Sequence, residues 1–267
     1  PKLKYIVSPT TGLNHISLDE CEKRGIKVIS LKGKAKWLGK NITSTAEHTW
    51  ALLLSLIRNI PSAFEDVKNN HWNRNNFIGH QLKGLTLGII GYGRVGKQVA
   101  KIAKAFQMKV IAYDKKSVPL KYLIGFEELL QESDIISIHV DLNDSTQNLI
   151  MPYHFNMMDK QPFIINTSRG EVIDEDGLLQ ALVSEKIAGV AIDVMADEVN
   201  YNNLKSNLIK YAKENNNLII TPHIAGASSE AMRLTETRIA EQVLTFLQKN
   251  GIIKNIGGAN GETEARV

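Results

Sequence analysis

The sequence predicts an α/β protein built on a doubly wound parallel sheet, with a second, smaller α/β lobe. Three observations carry that prediction. At 267 residues the chain exceeds the ~250 residues at which single cores usually stop growing, so two lobes are expected. From Leu85 onward, short apolar runs alternate with helical patterns, the signature of parallel strands joined by helices. A glycine-rich turn directly follows the first of these runs. The composition, 43% hydrophobic and 22% charged with a net charge of +4, is that of a folded chain. Its lysines and arginines are scattered among acids without a basic block, which argues against nucleic acid as a partner. Apolar runs of membrane-spanning length are absent, and Cys21 stands alone without a disulfide partner, so a cytoplasmic protein is expected.

The first lobe opens with a strand over Lys4 to Val7, a loop over Ser8 to Asn14, a helix around Leu18 to Arg24 and a strand over Lys27 to Ile29. Ser44, with Glu47 three residues on, reads as a capping box. It heads a helix that is apolar almost all round, through Trp50, Leu52, Leu53, Leu54, Leu56 and Ile57. Such a helix must be covered on every side. A partner subunit would cover the surplus face, so a homodimer is expected; filling the cleft between lobes is the alternative. The large sheet is expected to comprise six strands: Leu85 to Gly91, Lys109 to Asp114, Asp134 to Val140, Phe163 to Thr167, Ile187 to Val194 and Leu218 to Thr221. A long amphipathic helix, Ser228 to Lys249, carries Met232, Ile239, Val243, Leu244 and Leu247 near helical spacing. A frayed tail is expected over Gly257 to Gly261. The expected domains are 1–79, a partial substrate lobe with the dimerisation helix; 80–227, the nucleotide-binding lobe; and 228–267, a helix returning to the first lobe.

Gly91-Tyr92-Gly93-Arg94-Val95-Gly96 fits G-x-G-x-x-G, and its place between the strand Leu87 to Ile90 and a helix gives the pattern its weight. Gly91 permits the tight turn, Gly93 lets a pyrophosphate approach the backbone, and Gly96 allows close helix–strand packing. The helix N-terminus, at Arg94 and Val95, then faces the phosphates. The helix is expected to bury Val95, Val99, Ile102 and Phe106. Asp114 ends the second strand eighteen residues beyond Gly96, where a carboxylate accepts hydrogen bonds from a ribose hydroxyl and repels a 2′-phosphate. The expected cofactor is therefore NAD, although Lys115 and Lys116 follow Asp114 directly. No metal site is expected.

Ligands of doubly wound sheets lie beyond the carboxyl ends of the strands. Arg169 follows Asn166-Thr167-Ser168 at one such end, Asp193 and Glu198 follow another, and His223 follows the last. A guanidinium is a planar fork that binds a carboxylate through two parallel bonds. An imidazole exchanges protons near neutral pH, and a neighbouring carboxylate fixes its tautomer and favours its charged form.

These motifs together resemble the D-isomer-specific 2-hydroxyacid dehydrogenase family, which includes D-lactate, phosphoglycerate and glycerate dehydrogenases. The matching segments are Thr45-Ala46-Glu47-His48-Thr49, Gly91 to Gly96, Asn166-Thr167-Ser168-Arg169-Gly170, Ala191-Ile192-Asp193-Val194 with Glu198, and Thr221-Pro222-His223-Ile224-Ala225-Gly226. The resemblance implies a Rossmann-type nucleotide-binding domain beside a flavodoxin-like substrate domain, the latter truncated here. It implies hydride transfer between NAD(H) and a D-2-hydroxy acid or 2-oxo acid. Arg169 would hold the substrate carboxylate, His223 would be the acid/base, and Glu198 would pair with it. Asp193 would lie near the nicotinamide amide, and Val140, Thr167, Ser168 and Gly226 would line the cofactor. His139 and His48 are expected to be structural or cofactor-adjacent.

The chain departs from the family at Asp141 and Val199, where proline is frequent, and in the asparagine-rich stretch Ala196 to Lys213. A second function class, a non-catalytic NAD-binding regulator, scaffold or inactive fragment, is opposed by the retained Arg169, Glu198 and His223. A formate-oxidising relative would carry an amide in place of Glu198.

Overall fold

The computed structural model describes residues 3–13, 15–115, 122–198 and 206–253. Asn14, Lys116, Val199 and the tail from Gly257 to Gly261, each singled out above, lie outside the described residues. The chain divides into two compact units, one within Pro1–Lys34 and Met232–Val267, the other Ala35–Ala231.

In the first unit, strands β1 (Tyr5–Ser8) and β2 (Lys27–Ser30) pair in parallel, joined through helix α1 (Leu18–Lys23). Helix α9 (Ser229–Lys249) belongs to this unit from Met232 onward. Its Phe246 ring meets Tyr5 edge-on at 5.3 Å, and the Lys27 ammonium lies 4.2 Å from the centre of the same ring. Of the stripe expected on α9, Ile239 is buried, whereas Met232 and Leu244 remain exposed.

The second unit holds α2 (Ala35–Asn41), α3 (Ser44–Ile57), α4 (Ile60–Lys68) and a six-stranded parallel sheet. The strands are β3 (Thr86–Ile90), β4 (Lys109–Tyr113), β5 (Ile135–Ile138), β6 (Phe163–Asn166), β7 (Gly189–Ile192) and β8 (Leu218–Ile220). Their order is β4-β3-β5-β6-β7-β8. Leu123 adds a single parallel bridge to Ala112 outside β4. Strand progression reverses between β3 and β5, which creates the switch point where doubly wound sheets bind ligands.

Alternation along the strands loads both faces. Leu87, Ile89, Ile135, Ile165 and Ala191 pack under α3 and α5 (Arg94–Ala105). Ile90, Ile136, Ile138, Ile164 and Val190 pack under α6 (Phe126–Glu132), α7 (Glu175–Val183) and α8 (Asn207–Glu214). Each fully buried aliphatic side chain contributes about 1.5–3 kcal/mol, so the strand ends that carry the site rest on a core buried on both faces.

Three expectations about local structure need correction. The helix apolar all round, α3, is covered within its own chain: it packs on β6, β7, β8, α4 and α5, inside the second unit. Its cap is Thr43, whose hydroxyl donates to Glu47 at 2.5 Å, while the Ser44 hydroxyl is buried and makes no hydrogen bond. The buried face of α5 is Gly96, Val99, Ala100 and Ala103; Val95 and Ile102 pack half-buried on the same core, and of the expected face only Phe106 turns out exposed. Small side chains let the helix sit close to the sheet, and Phe106 instead stacks on Trp50 at 4.9 Å.

Candidate active site

Every residue singled out for chemistry lies at the carboxyl edge of the six-stranded sheet. Gly91 follows β3, Asp114 follows β4, Val140 follows β5, Thr167 to Arg169 follow β6, Asp193 follows β7 and His223 follows β8. Because all six strands are parallel, their carboxyl ends gather on one edge.

The glycine turn is steric. Gly91 sits at φ +93°, and a Cβ there would lie 2.6 Å from the His139 carbonyl oxygen and 2.9 Å from Val140 Cγ1. A Cβ at Gly96 would lie 2.2 Å from the Gly91 oxygen, so helix α5 could not approach its strand with any other residue. A Cβ at Gly93 would meet nothing within 4 Å; the space beside this backbone is open, as close approach of a phosphate requires. The Asp114 carboxylate accepts the Tyr92 N–H at 2.8 Å and so ties the end of β4 to the turn. Val95 packs half-buried against the core under α5.

Arg94 begins α5, and its Nη1 is buried with no hydrogen-bond partner. Burial pushes its guanidinium below the ordinary range, opposed by Asp141; arginine nonetheless stays charged in proteins. A buried cation with an unused donor, a helix N-terminus and an open glycine make a set that fits a pyrophosphate. His139, bonded to Ser137 Oγ at 2.7 Å, is pushed down to about 3 by burial, with Arg94 adding to the effect. Its ring is therefore neutral.

Asn166 builds the turn after β6. Its Oδ1 accepts the Ser168 N–H at 2.9 Å and the Ser168 hydroxyl at 2.7 Å, and its Nδ2 donates to the Arg169 carbonyl at 2.8 Å. Arg169 donates from Nη1 to the Ser168 carbonyl at 2.5 Å. Thr167 is buried and hydrogen-bonds Thr49 of α3 at 2.9 Å. Gly170 packs so tightly that a Cβ would lie 2.0 Å from the Met195 carbonyl carbon. The segment bearing Arg169 is thereby locked against the segment that leads to Glu198.

Glu198 pairs with His223 through a short contact between Oε1 and Nδ1. Desolvation alone would raise the Glu198 pKa, but the hydrogen bond and charge of His223, with help from Arg169, bring it below the usual carboxylate range. The Glu198 hydrogen bond raises the His223 pKa; desolvation opposes it, and the Arg169 charge also lowers it. Arg169 is thus close enough to act on both partners. His223 sits at φ +54° with its side chain 39% exposed, which leaves a face open to a reactant.

Asp193 is buried and fully engaged. Its Oδ1 accepts the Thr221 hydroxyl at 2.6 Å and the Ile224 N–H at 2.9 Å, and its Oδ2 accepts the Ala225 N–H at 2.8 Å. The His223 N–H donates to the Asp193 carbonyl at 2.8 Å. Gly226 follows on the exposed end of this turn. Sequence reasoning gave no role to Glu175, whose Oε1 accepts the Ala196 N–H at 2.6 Å; burial raises its pKa against that bond. Nor did it find the tight approach of Gly170, because both contacts join segments more than twenty residues apart. Among the described residues, no group of three His, Cys, Asp or Glu is placed to hold a metal ion, and no helix is long and apolar enough to cross a membrane.

Residues 50–225 match the family model described as D-isomer specific 2-hydroxyacid dehydrogenase, NAD binding domain. The chain is 36% identical over 260 residues to a glyoxylate reductase of Thermococcus litoralis, covering 92% of this chain and 74% of that protein. It is 36% identical over 251 residues to a D-3-phosphoglycerate dehydrogenase of Bacillus subtilis, of which it spans 45%. Among solved structures, a D-lactate dehydrogenase of Aquifex aeolicus complexed with NAD and lactic acid superposes with a TM-score of 0.80 at 33% identity, covering 94% of this chain and 78% of that one.

Proposed function

The chain belongs to the D-isomer specific 2-hydroxyacid dehydrogenase family, and from that premise we propose that it interconverts a small 2-oxo acid and its D-2-hydroxy acid with NAD(H), using Arg169, Glu198 and His223. The observation that carries the proposal is the Glu198–His223 pair at the sheet edge, with Arg169 in electrostatic reach of both.

Bound NADH supplies a hydride to the substrate carbonyl carbon. Arg169 holds the substrate carboxylate with its planar fork and polarises the adjoining carbonyl. Because Nδ1 of His223 is committed to Glu198, Nε2 is the atom that gives a proton to the developing alkoxide, and in the oxidation direction it takes the proton back. Glu198 keeps the imidazolium populated above its ordinary range. Arg94, the α5 N-terminus and Gly93 would hold the pyrophosphate, and Val140, Thr167, Ser168 and Gly226 would line the dinucleotide. The Asp114 carboxylate would accept hydrogen bonds from the ribose and disfavour a 2′-phosphate. Asp193 serves the cofactor indirectly, by shaping the turn beside it.

A homodimer in the cytoplasm is the form we propose. Its support is the face of α4, where Ile60, Phe64 and Val67 are 51%, 62% and 47% exposed at helical spacing; Phe64→Asp lowers the sedimenting mass if this face is the contact. The function itself is tested by NADH consumption with glyoxylate, hydroxypyruvate and pyruvate. Turnover of at least one is expected; tight NADH binding with no turnover of any 2-oxo acid contradicts the proposal.

A further inference from the structure

We propose that His48, near the N-terminus of α3, is a positioning residue that holds the His223 turn in register through Thr221 and Asp193. Its ring Nε2 lies 3.1 Å from Thr221 Oγ1 and 3.4 Å from Asp193 Oδ1. The Thr221 hydroxyl has a single hydrogen, and that hydrogen goes to Asp193 at 2.6 Å. Thr221 can therefore only accept from His48, which places a proton on Nε2 and makes α3 the donor at the head of a chain. Asp193 passes the constraint on, because its two oxygens fix the Ile224 and Ala225 N–H groups and its carbonyl fixes that of His223.

The constraint matters because His223 adopts φ +54°, a left-handed conformation that is unfavourable for a non-glycine residue. A turn of that kind relaxes unless its surroundings over-determine it. Relaxation would carry the imidazole away from Glu198. Thr49, the next residue on α3, is hydrogen-bonded to Thr167 at 2.9 Å, so the same helical turn ties the strand end that bears Arg169. The N-terminal half of α3 thus registers the substrate clamp and the acid/base against each other. The hydrogen bonds of the His48 ring reach neither Glu198 nor the His223 ring, so its influence on the pair is indirect.

The proposal relies on the dehydrogenase reading only for the role of His223, and the test separates the two. His48→Phe keeps an aromatic ring, somewhat larger, and removes the donor; His48→Gln keeps a donor on a side chain of similar reach. Thr221→Val and Thr221→Ser make the same comparison from the other side, and they decide the matter if His48→Phe does not fold. Two quantities are read: the titration of the His223 ring by NMR, and the kcat and KM for the best 2-oxo acid. His48→Phe and Thr221→Val are expected to move the His223 titration down towards the ordinary imidazole range. They are also expected to lower kcat about 10- to 100-fold, as small misplacements of a reacting group do, with KM and NADH affinity near wild type. His48→Gln and Thr221→Ser should restore most of both. An unmoved His223 titration in His48→Phe, or His48→Gln behaving no better than His48→Phe, overturns the proposal. A wild-type chain that turns over no 2-oxo acid refutes the dehydrogenase reading, while the titration still decides the role of His48.

Discussion

The two ends of the sheet edge are built on opposite principles. At the switch point between β3 and β5, the glycine turn works because side chains are absent: a Cβ at Gly91 or Gly96 would overlap backbone within 2.6 Å or 2.2 Å. At the β6, β7 and β8 ends, function depends on side chains, and a hydrogen-bonded web around Asp193, Asn166 and Glu175 aims them. The difference separates two kinds of fragility. The first end fails by volume, without regard to pH. The second fails by charge and register, and so responds to pH.

The contrast is most exposed by His223→Ala. Removing the proton donor should lower turnover by about 10²–10⁴-fold while NADH affinity, followed by its fluorescence, stays within about twofold, since the altered group acts on chemistry rather than on phosphate binding. Equal losses in both would mean that the two ends are not separable. Next in size is Arg169→Lys, which keeps the charge but loses the bidentate fork; a rise of about 10- to 100-fold in KM for the oxo acid is expected, at about 1.5–3 kcal/mol per lost charged hydrogen bond. Steady-state kinetics check it, and a change confined to kcat would contradict the carboxylate role. Gly96→Ala attacks the other end. Overpacking of about 1–3 kcal/mol should lower the melting temperature and weaken NADH binding equally across the neutral range, from roughly one pH unit below the ordinary imidazole pKa to about two above it. A pH-dependent defect would blur the distinction drawn here.

Much of this edge was legible in the sequence because its signals are local. The β3 to β8 strands, the glycine spacing and the acid at Asp114 each follow from residues near one another, and the order of the motifs along the chain identifies the partners. What stayed hidden is non-local. Burial all round α3 says that the helix is covered but not by what, and the sheet of its own chain does the covering. The face of α5 was read from its larger apolar residues, of which Val99 is buried, but spacing gave no sign that Gly96, Ala100 and Ala103 share that face or that Phe106 leaves it. Asp193 reads as one acid in a motif, yet its carboxylate organises a turn some thirty residues later in the chain. Ser44 and Glu47 have the spacing of a capping box, but Thr43 occupies the cap and takes Glu47 instead. Backbone register at a helix start is set by tertiary packing as much as by pattern.

The pairing of Glu198 with His223 is the claim on which the account turns, and its sign is fixed. The folded-state pKa of His223 is raised, chiefly by the Glu198 hydrogen bond, so the imidazolium persists above the ordinary imidazole range and is lost as pH rises through the raised value. The reduction of a 2-oxo acid, which needs the charged ring, should therefore fall along a limb above that range, and oxidation of the hydroxy acid should rise through it. The pH profile of kcat/KM for the reduction, measured for wild type and Glu198→Gln, tests this most directly. The account predicts that the descending limb shifts to lower pH in the variant; a limb that stays where it is in wild type would contradict it.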